Sequence, residues 1–184
     1  MKILIIIFIS FSFNIETSAH DGGLNKNGCH KNRKNGDYHC HQRSSFSQQE
    51  VFTGIPKITD GDTLKIGRTR IRLHGIDAPE SNQFCSFEGR EWRCGWESTN
   101  ALANIIGKHW VTCIKRDEDR FGRVIAVCKA GPININEWMV SNGWAVAYRR
   151  YSLDYVFAEK KSKAAGKGLW RGKFIMPWDW RRSR

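Results

Sequence analysis

Residues 60–80, DGDTLKIGRTRIRLHGIDAPE, constrain the fold more than any other part of the chain. Asp60-Gly61 signals a turn. Residues 63–66 then alternate polar and apolar, Gly67 interrupts, and residues 70–74 alternate again. Period two marks a strand with one buried face, so Ile71 and Leu73 share the core side while Arg70, Arg72 and His74 share the other. The pattern predicts a hairpin. It ends at Asp77-Ala78-Pro79-Glu80, where Pro79 fixes its own φ and biases Ala78 away from helix. Pairing the strand after Asp62 with the strand holding Arg72 brings Asp62 and Asp77 together near the sheet end. Two carboxylates so placed repel unless a cation lies between them, and hard oxygen donors suit Ca²⁺ or Mg²⁺. Glu80 lies just beyond, and Arg72 is on the same polar face. An ion and an arginine to neutralise phosphoryl charge, with a carboxylate to activate water, are the parts of phosphodiester hydrolysis. The competing reading is a pair of turn carboxylates beside a solvated strand face, since DG turns are common.

A second hairpin is predicted from residues 110–114 and 124–128, which flank Asp119-Arg120-Phe121-Gly122-Arg123. Gly122 sits in the turn and Arg123 leaves it. Together these pieces resemble the staphylococcal nuclease (thermonuclease) family. The matching motifs are DGDT at 60–63, RLHGIDAPE at 72–80, DRFGR at 119–123, NEWMV at 136–140 with Gly143-Trp144-Ala145, Ala158-Glu159, and KGLW at 167–170. They occur in the family's order and span about residues 51–170.

The resemblance implies an α+β, mostly β, fold: a five-stranded oligonucleotide-binding barrel with about three helices and one open binding face. It implies Ca²⁺-dependent hydrolysis of DNA and RNA that leaves 3′-phosphate ends. Asp62, Asp77 and the backbone carbonyl of Ala78 match the metal ligands; the family often has threonine at the last of these. Glu80 matches the general base. Arg72 and Arg123 match the phosphate clamps, where a planar guanidinium suits phosphate better than an ammonium does. Asp119, Tyr148 and Tyr151 fall where the family meets the nucleotide. A barrel without the metal and arginine residues would bind nucleic acid and not cut it. The presence of Asp62, Asp77, Glu80, Arg72 and Arg123 together argues against that alternative.

The chain ahead of the barrel divides by composition. Met1-Lys2, the apolar run 3–13 and Thr17-Ser18-Ala19 read as a signal peptide over 1–19. The run is shorter than the ~20 residues that span a bilayer. A secreted or periplasmic product with no stable membrane anchor is therefore expected, acting as a monomer. Residues 20–41 are rich in His and Cys and nearly free of apolar side chains, so they cannot bury a core. Residues 42–50 read as a linker, and the nuclease-like domain covers 51–184. The net charge of +12 suits an acidic partner such as nucleic acid.

Six cysteines in an exported chain suggest three disulfides. Cys113 and Cys128 face each other across the second hairpin. Cys85 and Cys94 close a short loop, which leaves Cys29 with Cys40.

Within the barrel, residues 81–93 read as irregular. A helix is expected over 96–106, with Trp96, Leu102, Ala103, Ile105 and Ile106 as its apolar stripe. An Asn-capped helix over 134–141, a strand over 144–148 and a helix over 155–165 capped by Asp154 follow. The tail 170–184 reads as a surface-packed extension.

Overall fold

The structure, a computed structural model, describes residues 29–31, 36–40 and 49–183. The chain falls into two compact units, divided between Ser47 and Gln48. In the first, Cys29–Lys31 pairs antiparallel with Tyr38–Cys40, and Cys29 stands opposite Cys40 in the register. The expected signal peptide, most of the linker, and the side chains of the expected Cys29–Cys40 bond lie outside what is described.

The second unit is built on one curled sheet. Its main strands are β1 (Val51–Gly54), β2 (Lys57–Asp60), β3 (Thr63–Ile66), β4 (Thr69–Leu73), β5 (Val111–Glu118) and β6 (Val124–Ala130). Their order is β1-β5-β6-β4-β3-β2, with the short Ile133–Asn134 on β6 as a seventh. Five strands were expected. The difference lies at Pro56, which cannot donate to a ladder. It splits residues 51–60 into β1 and β2, and the two halves stand at opposite ends of the sheet order. One short stretch of chain thus supplies both edges, which requires the sheet to curl as a barrel does.

Period two decides what goes inside. Leu64, Ile71, Leu73, Val111, Cys113, Ala126 and Cys128 are buried on the inner face. β3 pairs antiparallel with β4, Thr63 opposite Arg72, as the hairpin pattern predicts. β4 also pairs parallel with β6, Leu73 beside Ala126. Cys113 and Cys128 are opposite in the β5–β6 ladder and bonded, and Cys85 is bonded to Cys94.

Four α-helices are present among the described residues: α1 (Cys94–Ile106), α2 (Ile135–Ser141), α3 (Val156–Ala164) and α4 (Pro177–Arg182). α1 begins at Cys94, where the disulfide anchors its first residue. Its buried face carries Ser98 and Ala101 beside Leu102 and Ile106, while Trp96 is exposed. Asn134 caps α2, its side chain accepting from the Glu137 N–H at 3.2 Å. Asp154 does not cap α3, which starts at Val156 without a side-chain cap. The Asp154 carboxylate instead faces His74 Nε2 at 3.9 Å. Residues 81–93 are more regular than expected, since Cys85–Phe87 and Arg90–Trp92 form a small hairpin. Its turn, Glu88-Gly89, has φ of 50° and 75°, the left-handed pair that matches strand twist in a two-residue connection.

Asn136, fully buried in α2, ties the helix to the barrel. Its Nδ2 donates to the carbonyls of His74 at 2.9 Å and Ala126 at 3.1 Å, and its Oδ1 accepts from the Cys128 N–H at 3.0 Å. Asn136→Ala takes this partner from the His74 carbonyl and the Cys128 N–H, each costing about 1–3 kcal/mol when unpaired, while the Ala126 carbonyl keeps the His74 N–H at 2.8 Å. A loss of about 2–4 kcal/mol in urea unfolding is expected. An unchanged midpoint and slope would show that the three bonds carry no net stability.

Candidate active site

The turn before β3 and the end of β4 meet at three charged side chains. Asp62 and Asp77 are 3% and 0% exposed. Arg72, projecting from β4, bridges them: Nη1 donates to Asp62 Oδ1 and Nη2 to Asp77 Oδ1, both at 2.6 Å. Asp62 Oδ1 also accepts from Thr63 Oγ1 at 3.0 Å, and its Oδ2 accepts from the Ala78 N–H at 2.8 Å. Backbone geometry fixes the turn, because a Cβ on Gly61 would lie 2.1 Å from Ser98 Oγ and 2.8 Å from Ala78 Cβ. The absence of a side chain at Gly61 therefore lets the turn backbone lie close against Ser98 of α1. Asp60 completes the acidic end, accepting from the Asp62 N–H at 3.0 Å.

Burial and mutual repulsion raise two of these acids. The Asp60 carboxyl is pushed up to about 7, chiefly by desolvation and next by the negative Asp62. Asp77 is pushed up to about 6 by the same two causes, while hydrogen bonds and charge from Arg181 and Arg72 hold it down. Such clustering of perturbed acids is characteristic of functional sites.

Arg123 belongs to a separate module at the tip of the β5–β6 hairpin. Its Nε donates to Asp119 Oδ2 at 2.7 Å, and Asp119 Oδ1 accepts from the N–H groups of Phe121 and Arg123 at 2.9 and 3.0 Å. Partial burial works to raise the Asp119 carboxyl, but these bonds from Arg123 and Phe121 bring it below the ordinary range. Asp119 thus organises the turn and aims Arg123. No hydrogen bond or ion pair joins Arg123 to Asp62, Asp77 or Glu80 among the described residues.

Tyr148 follows a short ladder in which Val146 pairs with Asp77 and Ala147 with Ile76. The Tyr148 N–H donates to the Gly75 carbonyl at 2.9 Å. Glu159, 4% exposed, supports this segment from α3, accepting from the Ala147 N–H at 2.9 Å and pairing with Arg149. Tyr151 meets Tyr148 edge-on with ring centres 4.8 Å apart.

Two residues that sequence reasoning missed complete the site. Arg181 of α4 donates to both oxygens of Asp77, at 3.1 and 2.7 Å, and to Glu80 Oε1 at 2.9 Å. Trp178 lies parallel on Tyr148, ring centres 5.4 Å apart and planes 5° from coplanar. The tail is thus no mere surface extension.

The family described as "Staphylococcal nuclease homologue" matches residues 70–172. The chain belongs to the staphylococcal nuclease family. It is 34% identical over 147 residues to an "Uncharacterized endonuclease" of Haemophilus influenzae, covering 76% of this chain and 78% of that one. It is 33% identical to "Probable staphylococcal-like nuclease CAN3" of rice (Oryza sativa subsp. japonica), covering 94% of this chain but 43% of the rice protein. The chain therefore spans less than half of that relative. A third relative, "Succinoglycan biosynthesis protein ExoI" of Rhizobium meliloti, is 34% identical over 128 residues, 67% of each chain.

The family match takes in Arg72, Asp77, Ala78, Glu80, Asp119, Arg123, Tyr148 and Tyr151, and leaves out Asp62, Trp178 and Arg181. The donors fit the Ca²⁺ that the family implies. Asp62, Asp77 and the Ala78 carbonyl offer only hard oxygens, and the raised Asp60 and Asp77 carboxyls lie where positive charge would be welcome. Among the described residues no group of three or more His, Cys, Asp or Glu side chains gathers as a metal site. The carboxylate oxygens are turned towards Arg72 and Arg181 instead.

Proposed function

We infer that this member of the staphylococcal nuclease family is a secreted, Ca²⁺-dependent nuclease that hydrolyses phosphodiester bonds of DNA and RNA and leaves 3′-phosphate ends. The observation that carries the reading is the buried Asp62–Arg72–Asp77 cluster with Glu80 at its mouth. Asp62, Asp77 and the Ala78 carbonyl would hold the ion. Bound there, Ca²⁺ supplies charge neutralisation at the phosphoryl group. Glu80, with its side chain one-third exposed, takes a proton from the attacking water. Arg72 is held by two carboxylates in a fixed orientation, so it meets developing phosphoryl charge without reorganising. Arg123, aimed by Asp119, closes on the phosphate from the β5–β6 turn. Tyr148 and Tyr151 offer aromatic faces and edges for the adjoining nucleotide. The two described disulfides are compatible with export to an oxidising compartment.

The test is incubation with DNA and with RNA, with Ca²⁺ or with chelator, followed by end-group analysis. Cleavage is expected only with Ca²⁺, at millimolar-range concentrations because two carboxylates and a carbonyl make a sparse site. The products should carry 3′-phosphates. Full activity in chelator would remove the metal from the mechanism. Binding without cutting under every condition would favour the alternative, a non-catalytic nucleic-acid-binding barrel. The engagement of the Asp77 oxygens by Arg72 and Arg181 is the observation on its side.

A further inference from the structure

The helix α4 reaches into the site from 104 residues away in sequence. It is a built contact, not a dangling end. Pro177, its first residue, is buried, and Met176 and Trp178 pack on the cluster formed by Cys85, Cys94, Val146 and Leu169. Gln83 Nε2 donates to the Ile175 carbonyl at 2.7 Å and fastens the approach to the helix.

Arg181 grips Asp77 with both terminal nitrogens and Glu80 with one. With Arg72 already on Asp77 Oδ1, both oxygens of that carboxylate are engaged. A Ca²⁺ ion needs those lone pairs at about 2.3–2.6 Å and would repel a guanidinium held there. Arg181 and a divalent ion on Asp77 thus exclude one another. Charge balance favours neither strongly. Asp62, Asp77 and Glu80 against Arg72 and Arg181 leave one negative charge, and Ca²⁺ in place of Arg181 leaves none. Three residues earlier on the same helix face, Trp178 covers Tyr148 with the parallel geometry of a stacked base.

We propose that α4 is a built-in competitor of the site, in which Arg181 keeps the divalent cation off Asp77 and Trp178 covers the stacking face of Tyr148. The inference rests on reading Asp77 as a metal ligand and Tyr148 as a nucleotide platform. Cation and single-stranded nucleic acid each displace the same helix, so each eases the entry of the other. Residues 173–184 lie beyond the family match.

The experiment titrates Ca²⁺ alone into the full chain by calorimetry, without substrate. A helix seated about nine-tenths of the time weakens apparent affinity about tenfold. Arg181→Gln is therefore expected to half-saturate at about tenfold lower Ca²⁺ than wild type. Arg182→Gln is the charge control, because Arg182 is mostly exposed and, among the described residues, forms its salt bridge with Asp179 rather than with the site. It should leave the titration unchanged. Equal or weaker Ca²⁺ binding in Arg181→Gln, or an equal gain in Arg182→Gln, overturns the proposal.

A second arm needs no metal. In chelator, Trp178→Ala should bind a fluorescein-labelled single-stranded oligothymidylate several-fold more tightly by anisotropy, and equal or weaker binding overturns the cover. If neither wild type nor Arg181→Gln takes up Ca²⁺, the metal assignment falls and the Arg181 exclusion falls with it. The oligothymidylate arm then decides alone whether α4 covers the nucleotide platform.

Discussion

Replacing Glu80 by glutamine is expected to slow phosphodiester cleavage by about 10²–10⁴-fold, the usual range for a positioned general base. The exchange keeps shape and a hydrogen-bonding oxygen, and removes the negative charge and with it the ability to accept a proton. Glu80 is not deep in the core: its side chain is 33% exposed and its ion-pair partner is Arg181, itself 35% exposed. Losing that pair costs little stability because solvent screens it. The fold should therefore survive, which circular dichroism and urea unfolding would verify. Single-turnover cleavage of a defined oligonucleotide measures the effect. A wild-type rate in folded Glu80→Gln would remove Glu80 from proton transfer.

Arg72→Met is expected to damage both stability and catalysis. Desolvation disfavours the guanidinium charge, but Asp62 and Asp77 outweigh it and hold Arg72 firmly protonated. The two carboxylates are 4% and 0% exposed as side chains. Without the arginine Asp62 keeps no guanidinium partner, only the Thr63 hydroxyl and the Ala78 N–H, while Asp77 is left to Arg181. Breaking one partner out of a buried pair costs about 3–5 kcal/mol, and removing a preorganised charge clamp costs about 10²–10³ in rate. Arg72→Lys should sit between these outcomes, since one ammonium lacks the planar fork that reaches both acids at once. Urea unfolding in chelator and cleavage rates in Ca²⁺ read the two effects separately. Wild-type values in both would show that the bridge is incidental.

The hairpin and its acids were legible because their signals are local. Asp60-Gly61 announces the turn, and alternation over residues 63–66 and 70–74 fixes which side chains face inward, so the register that sets Thr63 opposite Arg72 brings Asp62 to Arg72, with Asp77 a few residues beyond. Cys113 and Cys128 were legible for the same reason. Asn136 falls within a motif that placed a helix, but nothing in a single asparagine says that it will satisfy backbone groups on two strands. Asp154 looked like a cap because caps are judged by residue type, whereas its neighbour in space is His74. Arg181 was out of reach for a stronger reason. Its partners are more than a hundred residues away, and a basic, aromatic tail reads equally well as solvated surface. Pro177 opening a run of Trp-Asp-Trp-Arg-Arg was the available signal: a proline at a helix start, followed by apolar rings too large to leave in water without cause.

The tip of the β5–β6 hairpin bears on how the fold would respond to a protease. Arg120, Phe121 and Gly122 are exposed there, in the kind of turn where backbone cleavage concentrates. Arg123 sits one residue past that tip. The Cys113–Cys128 bond lies below the turn and joins the two strands that the turn connects. A cut between Arg120 and Phe121 therefore yields two fragments that stay covalently joined, with Arg123 at the start of a strand still laddered to its neighbour. The molecule carries its own suture across this exposed turn.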